Sequence, residues 1–165
     1  MANLSKPRWL EGQIVHIDLK DGTHAYGRVL RFPLIAFYDR QFRDEEYLSV
    51  EDIVALPIAF LISTMRYAVI SGGWPVIGRV RLTPELLEVP AFFKQDAISG
   101  AISIYQEVPE LAPHYERPAT LAEVQGLECA AVWEPEHVED RLRDHFAGRP
   151  NKWVELLRLT PERVP

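Results

Sequence analysis

Hydrophobic and polar residues alternate along the first quarter of the chain in the way that antiparallel β-strands require. Residues 13–19 alternate between two faces, and residues 24–31 return after the dipeptide Asp21-Gly22, which accepts the positive φ angles of a tight turn. Residues 34–38 are apolar throughout. The pattern therefore predicts a β-hairpin followed by a third, buried strand.

A second hairpin is predicted further along the chain. Residues 58–70 are rich in β-branched and aromatic side chains, Gly72-Gly73 permits a tight turn, and residues 74–82 run back. The charged residues 39–47 before this hairpin predict an exposed loop. Two hairpins and a third strand make the front half of the chain an antiparallel sheet.

Helix signals are spread over the chain and become denser in its second half. Ser49 is a candidate N-cap for a short helix, and Thr120 with Glu123 has the spacing of a capping box. Pro135 suits the first position of a longer helix that we expect to close at Gly148. The chain therefore combines a sheet with separate helices.

Residues 101–105 and 127–133 predict two further strands. Residues 153–159 fit either a strand or a helix, and the strand is the preferred prediction. The contribution of residues 149–165 stays open. The predicted class is α+β, a single domain over residues 1–165, with a curled antiparallel sheet and two to four helices packed on it. An SH3-like partial barrel is the more specific expectation.

Composition agrees with a globular chain that needs no cofactor or disulfide to fold. Of its 165 residues, 47% are hydrophobic and 25% charged. Cys129 is the single cysteine, which predicts a reducing compartment. No apolar stretch reaches the roughly 20 residues that span a bilayer, and no signal-peptide pattern opens the chain. We therefore expect a soluble, cytoplasmic protein without membrane contact.

The formal net charge of −6 is concentrated in one segment. Residues 107–145 hold ten acidic and three basic residues, a net charge of −7, whereas the rest of the chain carries +1. A direct nucleic-acid ligand would require the opposite sign of charge. The segment predicts either a solvated face or a surface that attracts a basic partner protein.

Catalytic and metal-binding patterns are absent from the sequence. The five histidines are scattered, no H-E-x-x-H or paired C-x-x-C occurs, and no glycine-rich phosphate loop is found. Cys129 lies in an apolar run, which indicates an unreactive thiol. His16 and His24 are expected to meet across the first hairpin. We therefore predict no catalytic residue, no metal ligand and no cofactor.

The helix predicted at residues 135–147 has the most informative pattern. Its apolar residues recur every four positions, and so do Glu136, Asp140 and Asp144 on another face. Glu139 stands four residues before Arg143, the favourable order for an ion pair. We predict that Glu136, Glu139, Asp140 and Asp144 bind a partner, with a solvated outer face as the alternative.

Short stretches spread over residues 11–142 resemble the immunity protein 26 family of bacterial polymorphic toxin systems. Each is mostly turn and core residues, so the resemblance rests on their joint order. The stretches are Glu11-Gly12-Gln13-Ile14-Val15, Lys20-Asp21-Gly22, Tyr26-Gly27-Arg28-Val29-Leu30, Ile35-Ala36-Phe37-Tyr38-Asp39, Gly73-Trp74-Pro75-Val76-Ile77-Gly78, Pro90-Ala91-Phe92-Phe93-Lys94-Gln95-Asp96, Gly126-Leu127-Glu128, Val132-Trp133, His137-Val138-Glu139 and Arg141-Leu142.

The resemblance implies a role without implying a chemistry. Such proteins are encoded beside a secreted toxin and bind its toxin domain, and many of these toxins are nucleases with basic active sites. We therefore expect a non-enzymatic immunity protein that neutralises a cognate toxin domain by stoichiometric binding. The alternatives are a generic small β-barrel adaptor or regulatory binding domain and, less favoured, a small enzyme with a pocket at His16 or His24.

Overall fold

The computed structural model describes residues 7–107 and 115–165. Two compact units make up the chain, and each contains its own sheet. The large unit comprises Met1–Leu87 and Val132–Trp153, and the small unit comprises Glu88–Ala131 and Val154–Pro165.

Strands and helices are interspersed along the described residues. The strands are β1 (Gln13–Asp18), β2 (Thr23–Val29), β3 (Leu34–Tyr38), β4 (Phe42–Arg43), β5 (Ile58–Thr64), β6 (Val76–Arg79), β7 (Phe92–Gln95), β8 (Ile102–Gln106), β9 (Tyr115–Pro118) and β10 (Val132–Trp133). The helices are α1 (Val50–Val54), α2 (Tyr67–Ile70), α3 (Pro84–Leu87), α4 (Leu121–Val124), α5 (Pro135–Phe146) and α6 (Lys152–Leu156), with a 3-10 turn at Pro161–Arg163.

The large unit is organised by a seven-stranded sheet in the order β10-β5-β3-β2-β1-β6, and β4 also pairs with β2. Every pairing is antiparallel except that between β10 and β5. The first hairpin and the third strand are confirmed, with Gly22 at φ +84° in the turn. The loop predicted at residues 39–47 is mostly irregular but contains β4.

Side chains on both faces of the central strands are buried. Ile14 and Val15, which point to opposite faces of β1, are both inaccessible to solvent. One face packs a cluster of Ile14, Tyr26, Tyr38, Phe42 and Ile53, the last of which lies in α1. Ser49 caps α1 as predicted, since its side chain accepts from the Asp52 amide at 3.1 Å. Helix α1 therefore covers this face of the sheet.

The predicted second hairpin is wrong. Strand β5 pairs with β3 and β10, while β6 pairs with β1 at the opposite edge of the sheet. Between them the chain forms α2, and Gly72, at φ +76°, follows the end of that helix. A glycine in this conformation terminates a helix as readily as it forms a hairpin turn, so the local pattern did not distinguish the two.

The small unit contains the antiparallel sheet β7-β8-β9. Phe93, Ile102, Ile104 and Val124 form its core, and Leu159 and Val164 of the C-terminal segment pack against them. The strand expected at residues 101–105 is confirmed as β8. The capping box of α4 is also confirmed, because Thr120 and Glu123 bond each other's backbone amides.

Two strand predictions in the second half are corrected. Of residues 127–133 only Val132–Trp133 is a strand, and Cys129 makes an isolated bridge to Phe93. The segment at residues 153–159 begins within helix α6, not a strand. Asn151 is the signal for that helix, because its side chain accepts from the Trp153 amide at 3.1 Å, in the manner of an N-cap.

The architecture confirms the α+β class. Antiparallel pairing dominates both sheets, and six helices accompany them among the described residues. The sheets do not close into a barrel: β10 and β6 end the first, and β7 and β9 end the second.

Candidate partner-binding surface

Helix α5 carries the predicted partner-binding residues and lies in the large unit. It begins with Pro135 at its first turn, and Ala147 is its C-cap, followed by Gly148 at φ +66°. Val138 and Leu142 are fully buried, which confirms the apolar stripe. The helix is therefore oriented by that stripe, and the positions of its carboxylates follow from it.

Glu139 is buried and holds two parts of the large unit together. Its Oε2 lies 2.7 Å from Nζ of Lys20 in the first hairpin, and its Oε1 accepts from Trp74 Nε1 at 3.0 Å. The hydrogen bond to Glu139, and then that carboxylate's charge, raise the pKa of Lys20. An α-helix turns 100° per residue, so Glu139 lies 60° from Leu142 around the helix axis. This position is beside the apolar stripe.

Asp140 is half-buried, and both of its oxygens are engaged. Trp153 Nε1 donates to Oδ2 at 3.0 Å, and Arg143 donates to Oδ1. The Trp153 hydrogen bond is the first cause of the lowered pKa of Asp140, and Arg143 adds to it. Arg143 thus pairs with Asp140 instead of Glu139, and it also donates to the Leu19 carbonyl at 2.6 Å.

Asp144 ends the row and binds the segment that follows the helix. Arg149 donates to Oδ1 at 3.0 Å, and Asn151 Nδ2 donates to Oδ2 at 2.9 Å. The two intramolecular donors leave Asp144 mostly covered. Its carboxylate therefore fixes the turn that leads into α6.

Glu136 is the one predicted residue of the four that is exposed. Its Oε2 lies 3.5 Å from the Tyr67 hydroxyl, which donates chiefly to Glu134. The bond to Glu134, together with the charges of both carboxylates, raises the pKa of Tyr67 to about 12. The hydroxyl therefore stays protonated and remains a donor at neutral pH.

Exposed apolar residues accompany Glu136 at this end of the helix. We define the Tyr67 patch as Met65, Tyr67, Val132, Glu134 and Glu136. Met65, Tyr67 and Val132 are 37%, 42% and 53% exposed. Their backbones converge because β10 pairs with the end of β5, and the Met65 amide donates to the Trp133 carbonyl at 2.9 Å. Tyrosine and methionine are enriched at protein interfaces, so this patch is chemically suited to contact another protein.

The acidic segment that the sequence singled out is divided between the two units. Residues 107–131 carry −4 and belong to the small unit, whereas residues 132–145 carry −3 and belong to the large unit. In the large unit, cations neutralise most of the helix carboxylates, as described above. The whole small unit has nine acidic and four basic residues, a net charge of −5.

The two histidines of the first hairpin meet as predicted. Their ring centroids are 4.5 Å apart, and His24 Nε2 lies 3.0 Å from the Tyr26 hydroxyl. Burial, and then the nearby His16, lower the pKa of His24. Open clefts of about 700, 450 and 320 Å³ among the described residues are lined by other side chains. The His16–His24 pair is therefore a packed element of the sheet.

Residues 7–107 and 115–165 contain no group of three or more His, Cys, Asp or Glu side chains placed to hold one metal ion. Burial raises the pKa of the Cys129 thiol, which keeps it protonated at neutral pH. Within the same residues, every helix is too short or too polar to cross a bilayer.

Comparison with known families supplies the identification. The family model for immunity protein 26 matches residues 10–103, more than half of the chain. The chain belongs to the immunity protein 26 family. No curated protein sequence and no solved structure matches it.

In this immunity protein 26 family member, the matched residues include β1 to β7 and the first two residues of β8, from the first hairpin into the small unit. Helix α5 and its four acidic residues follow the matched segment. The stretches of resemblance at residues 126–142 likewise lie beyond it.

Proposed function

We propose that this chain neutralises a cognate toxin domain by binding it stoichiometrically in the cytoplasm of the producing cell, without catalysing any reaction. Membership of the immunity protein 26 family supports the class of partner. The partner that best fits exposed carboxylates is a basic domain, and a nuclease that binds phosphate is one such domain.

The Tyr67 patch is the surface that we propose for this contact. It combines the exposed carboxylate of Glu136 with an exposed tyrosine whose hydroxyl is held by two carboxylates. An aromatic ring offers a large contact area at a small cost in conformational entropy. A lysine or arginine of the toxin would form an ion pair with the Glu136 carboxylate beside it.

The four acidic residues predicted from the sequence have different roles in the proposed complex. Glu136 contacts the toxin directly. Asp140 and Asp144, whose charges are paired with Arg143 and Arg149, hold the helix to the segment that follows it. Glu139 shapes the surface by fixing the helix to the first hairpin.

Association kinetics with the toxin domain encoded beside this chain test the proposal. We expect Tyr67→Ala to raise Kd about 10- to 100-fold, as central aromatic contacts do. Glu136→Lys is expected to slow association about 10-fold at low salt and to weaken the dependence of the rate on salt. Both side chains are exposed, so thermal stability should change little.

Glu51→Lys is the matched control. It makes the same change in net charge at an exposed position in α1, so it separates a local effect from general electrostatic steering. An unaltered rate for Glu136→Lys, or an equal loss for Glu51→Lys, would place the interface elsewhere. Wild-type protein that neither binds the toxin domain nor protects cells that express it would overturn the proposed function itself.

A further inference from the structure

The turn between β7 and β8 in the small unit displays an isoleucine almost entirely to solvent. Ile98 is 96% exposed, the highest value among the exposed large hydrophobic residues described. Isolated apolar residues are common on protein surfaces and need no explanation by themselves. The surroundings of Ile98 are what set it apart, because the turn that carries it is held from two sides.

The first set of bonds lies within the turn. The Asp96 carboxylate accepts from the amides of Ile98 and Ser99 at 2.9 and 2.6 Å, and from the Ser99 hydroxyl at 3.0 Å. These bonds lower the pKa of Asp96, so the carboxylate remains an acceptor at neutral pH. The Gly100 amide closes the turn on the Asp96 carbonyl at 3.0 Å.

The second set of bonds comes from the C-terminal segment of the small unit. The side chain of Gln95 exchanges two hydrogen bonds of 2.9 Å with the backbone of Thr160. Arg163 donates to the carbonyl of Ala97, the residue before Ile98. Gly100, at φ +75°, lies so close to the Arg163 carbonyl that a Cβ would be 1.7 Å from its oxygen. The conformation of the turn is therefore fixed by two independent sets of hydrogen bonds.

A held turn that presents an apolar side chain meets two requirements of an interface anchor. The backbone at Ile98 loses little further freedom on binding, because the turn is already ordered. Its burial in a partner's pocket removes apolar surface from water, which favours the complex. No other part of the turn requires isoleucine, since the bonds described above involve only backbone atoms and other side chains.

Charge indicates which partner fits. The small unit carries −5, so a basic surface is attracted to it and an acidic surface is repelled. An open cleft of about 700 Å³ adjoins the turn and is lined by Asp96, Ala97 and Ser99 on that side. The charged side chains that line it, Lys94, Asp96, Glu116 and Arg117, balance one another, so the attraction for a basic surface comes from the net charge of the whole unit. A protruding group of the partner could enter this cleft while Ile98 enters the partner.

We infer that Ile98 is an anchor that inserts into an apolar pocket, rimmed by lysine or arginine, on the toxin domain. This inference rests on the proposed function for the identity of the partner, but it concerns a surface of the small unit instead of the Tyr67 patch.

Binding of the purified full-length chain to the neighbouring toxin domain provides the test. We expect Ile98→Ala to weaken binding about 10- to 50-fold, chiefly through faster dissociation, with an unchanged melting temperature. Ile98→Glu and Ile98→Lys both lose the apolar contact, but the lysine variant should bind at least about 5-fold more weakly than the glutamate variant, since only it repels a basic rim.

Leu156→Ala is the control, because Leu156 is also exposed and apolar and belongs to the small unit, but it lies at the end of helix α6 and not on a held turn. Equal affinity of wild type and Ile98→Ala, while the wild type still binds, would overturn this inference and leave the proposed function standing. An equal effect of Leu156→Ala would likewise overturn it, as would tighter binding of the lysine variant. Absence of binding by the wild type would instead refute the proposed function.

Discussion

Lys20 and Glu139, separated by 119 positions in sequence, form an ion pair of 2.7 Å that links the first hairpin to helix α5. The two ends differ in environment: the lysine side chain is 61% exposed, whereas the glutamate side chain is 8% exposed. Trp74 supplies the second partner of the buried carboxylate. The stabilising effect of this pair therefore comes mainly from supplying hydrogen-bond donors to the buried Glu139 carboxylate.

Substitutions at this pair should follow a fixed order in stability. We expect Glu139→Ala to lower the free energy of unfolding by about 3 kcal/mol, because it leaves the buried Trp74 donor without its acceptor. Glu139→Gln keeps an acceptor and should cost about 1–2 kcal/mol. Lys20→Met should cost less than about 1 kcal/mol, because the ammonium is mostly hydrated.

Urea denaturation measures all three variants, with Glu45→Gln as an exposed control expected to stay within about 0.5 kcal/mol of wild type. If Lys20→Met lowered the free energy of unfolding as much as Glu139→Ala, the ion pair alone would supply the stability. That result would contradict a role for the Trp74–Glu139 hydrogen bond.

His24 makes stability depend on pH in a defined direction. Burial lowers its pKa below the ordinary 6.5, so the unfolded chain binds the proton first. Its contribution to stability is therefore fully present above pH 6.5 and is lost as pH falls from 6.5 through the lower pKa of the folded state. The groups whose charges act on it are His16, Asp18, Asp44 and Glu46.

His24→Phe provides the comparison that isolates this effect. A phenyl ring retains the stacking with Phe42 and Tyr47 but cannot take up a proton. The free energy of unfolding, measured between pH 7.5 and 5, should fall less for the variant than for wild type. Parallel curves for the two proteins would show that His24 titrates identically in the folded and unfolded chains.

Two glycines of the small unit should differ sharply in their tolerance of alanine. Gly100 and Gly126 both have positive φ angles, +75° and +79°, so each substitution incurs about 1–2 kcal/mol of backbone strain. Only at Gly100 would the new Cβ strike another atom, the Arg163 carbonyl oxygen, whereas nothing lies within 4 Å at Gly126.

We therefore expect Gly100→Ala to cost more than about 3 kcal/mol or to detach the C-terminal segment, and Gly126→Ala to cost about 1–2 kcal/mol. Urea denaturation and limited proteolysis within residues 157–165 report the two effects. Similar losses at both positions would refute the close approach of Arg163 to Gly100.

Features determined by neighbouring residues could be predicted from the sequence. The first hairpin follows from Asp21-Gly22, and the caps of α1 and α4 follow from Ser49 and Thr120. The buried face of α5 follows from its period. Each depends on interactions within about four residues or on one local turn, so no knowledge of the rest of the chain is required.

Tertiary structure decided the partners of these elements. Gly72 ends α2 instead of turning a hairpin, because long-range pairing joins β5 to β3 and β6 to β1 instead of joining β5 and β6 to each other. Arg143 pairs with Asp140 because Lys20 and Trp74 already occupy Glu139. Which carboxylates stay exposed is likewise a consequence of long-range packing: the spacing of acidic residues alone did not distinguish the buried Glu139 from the exposed Glu136.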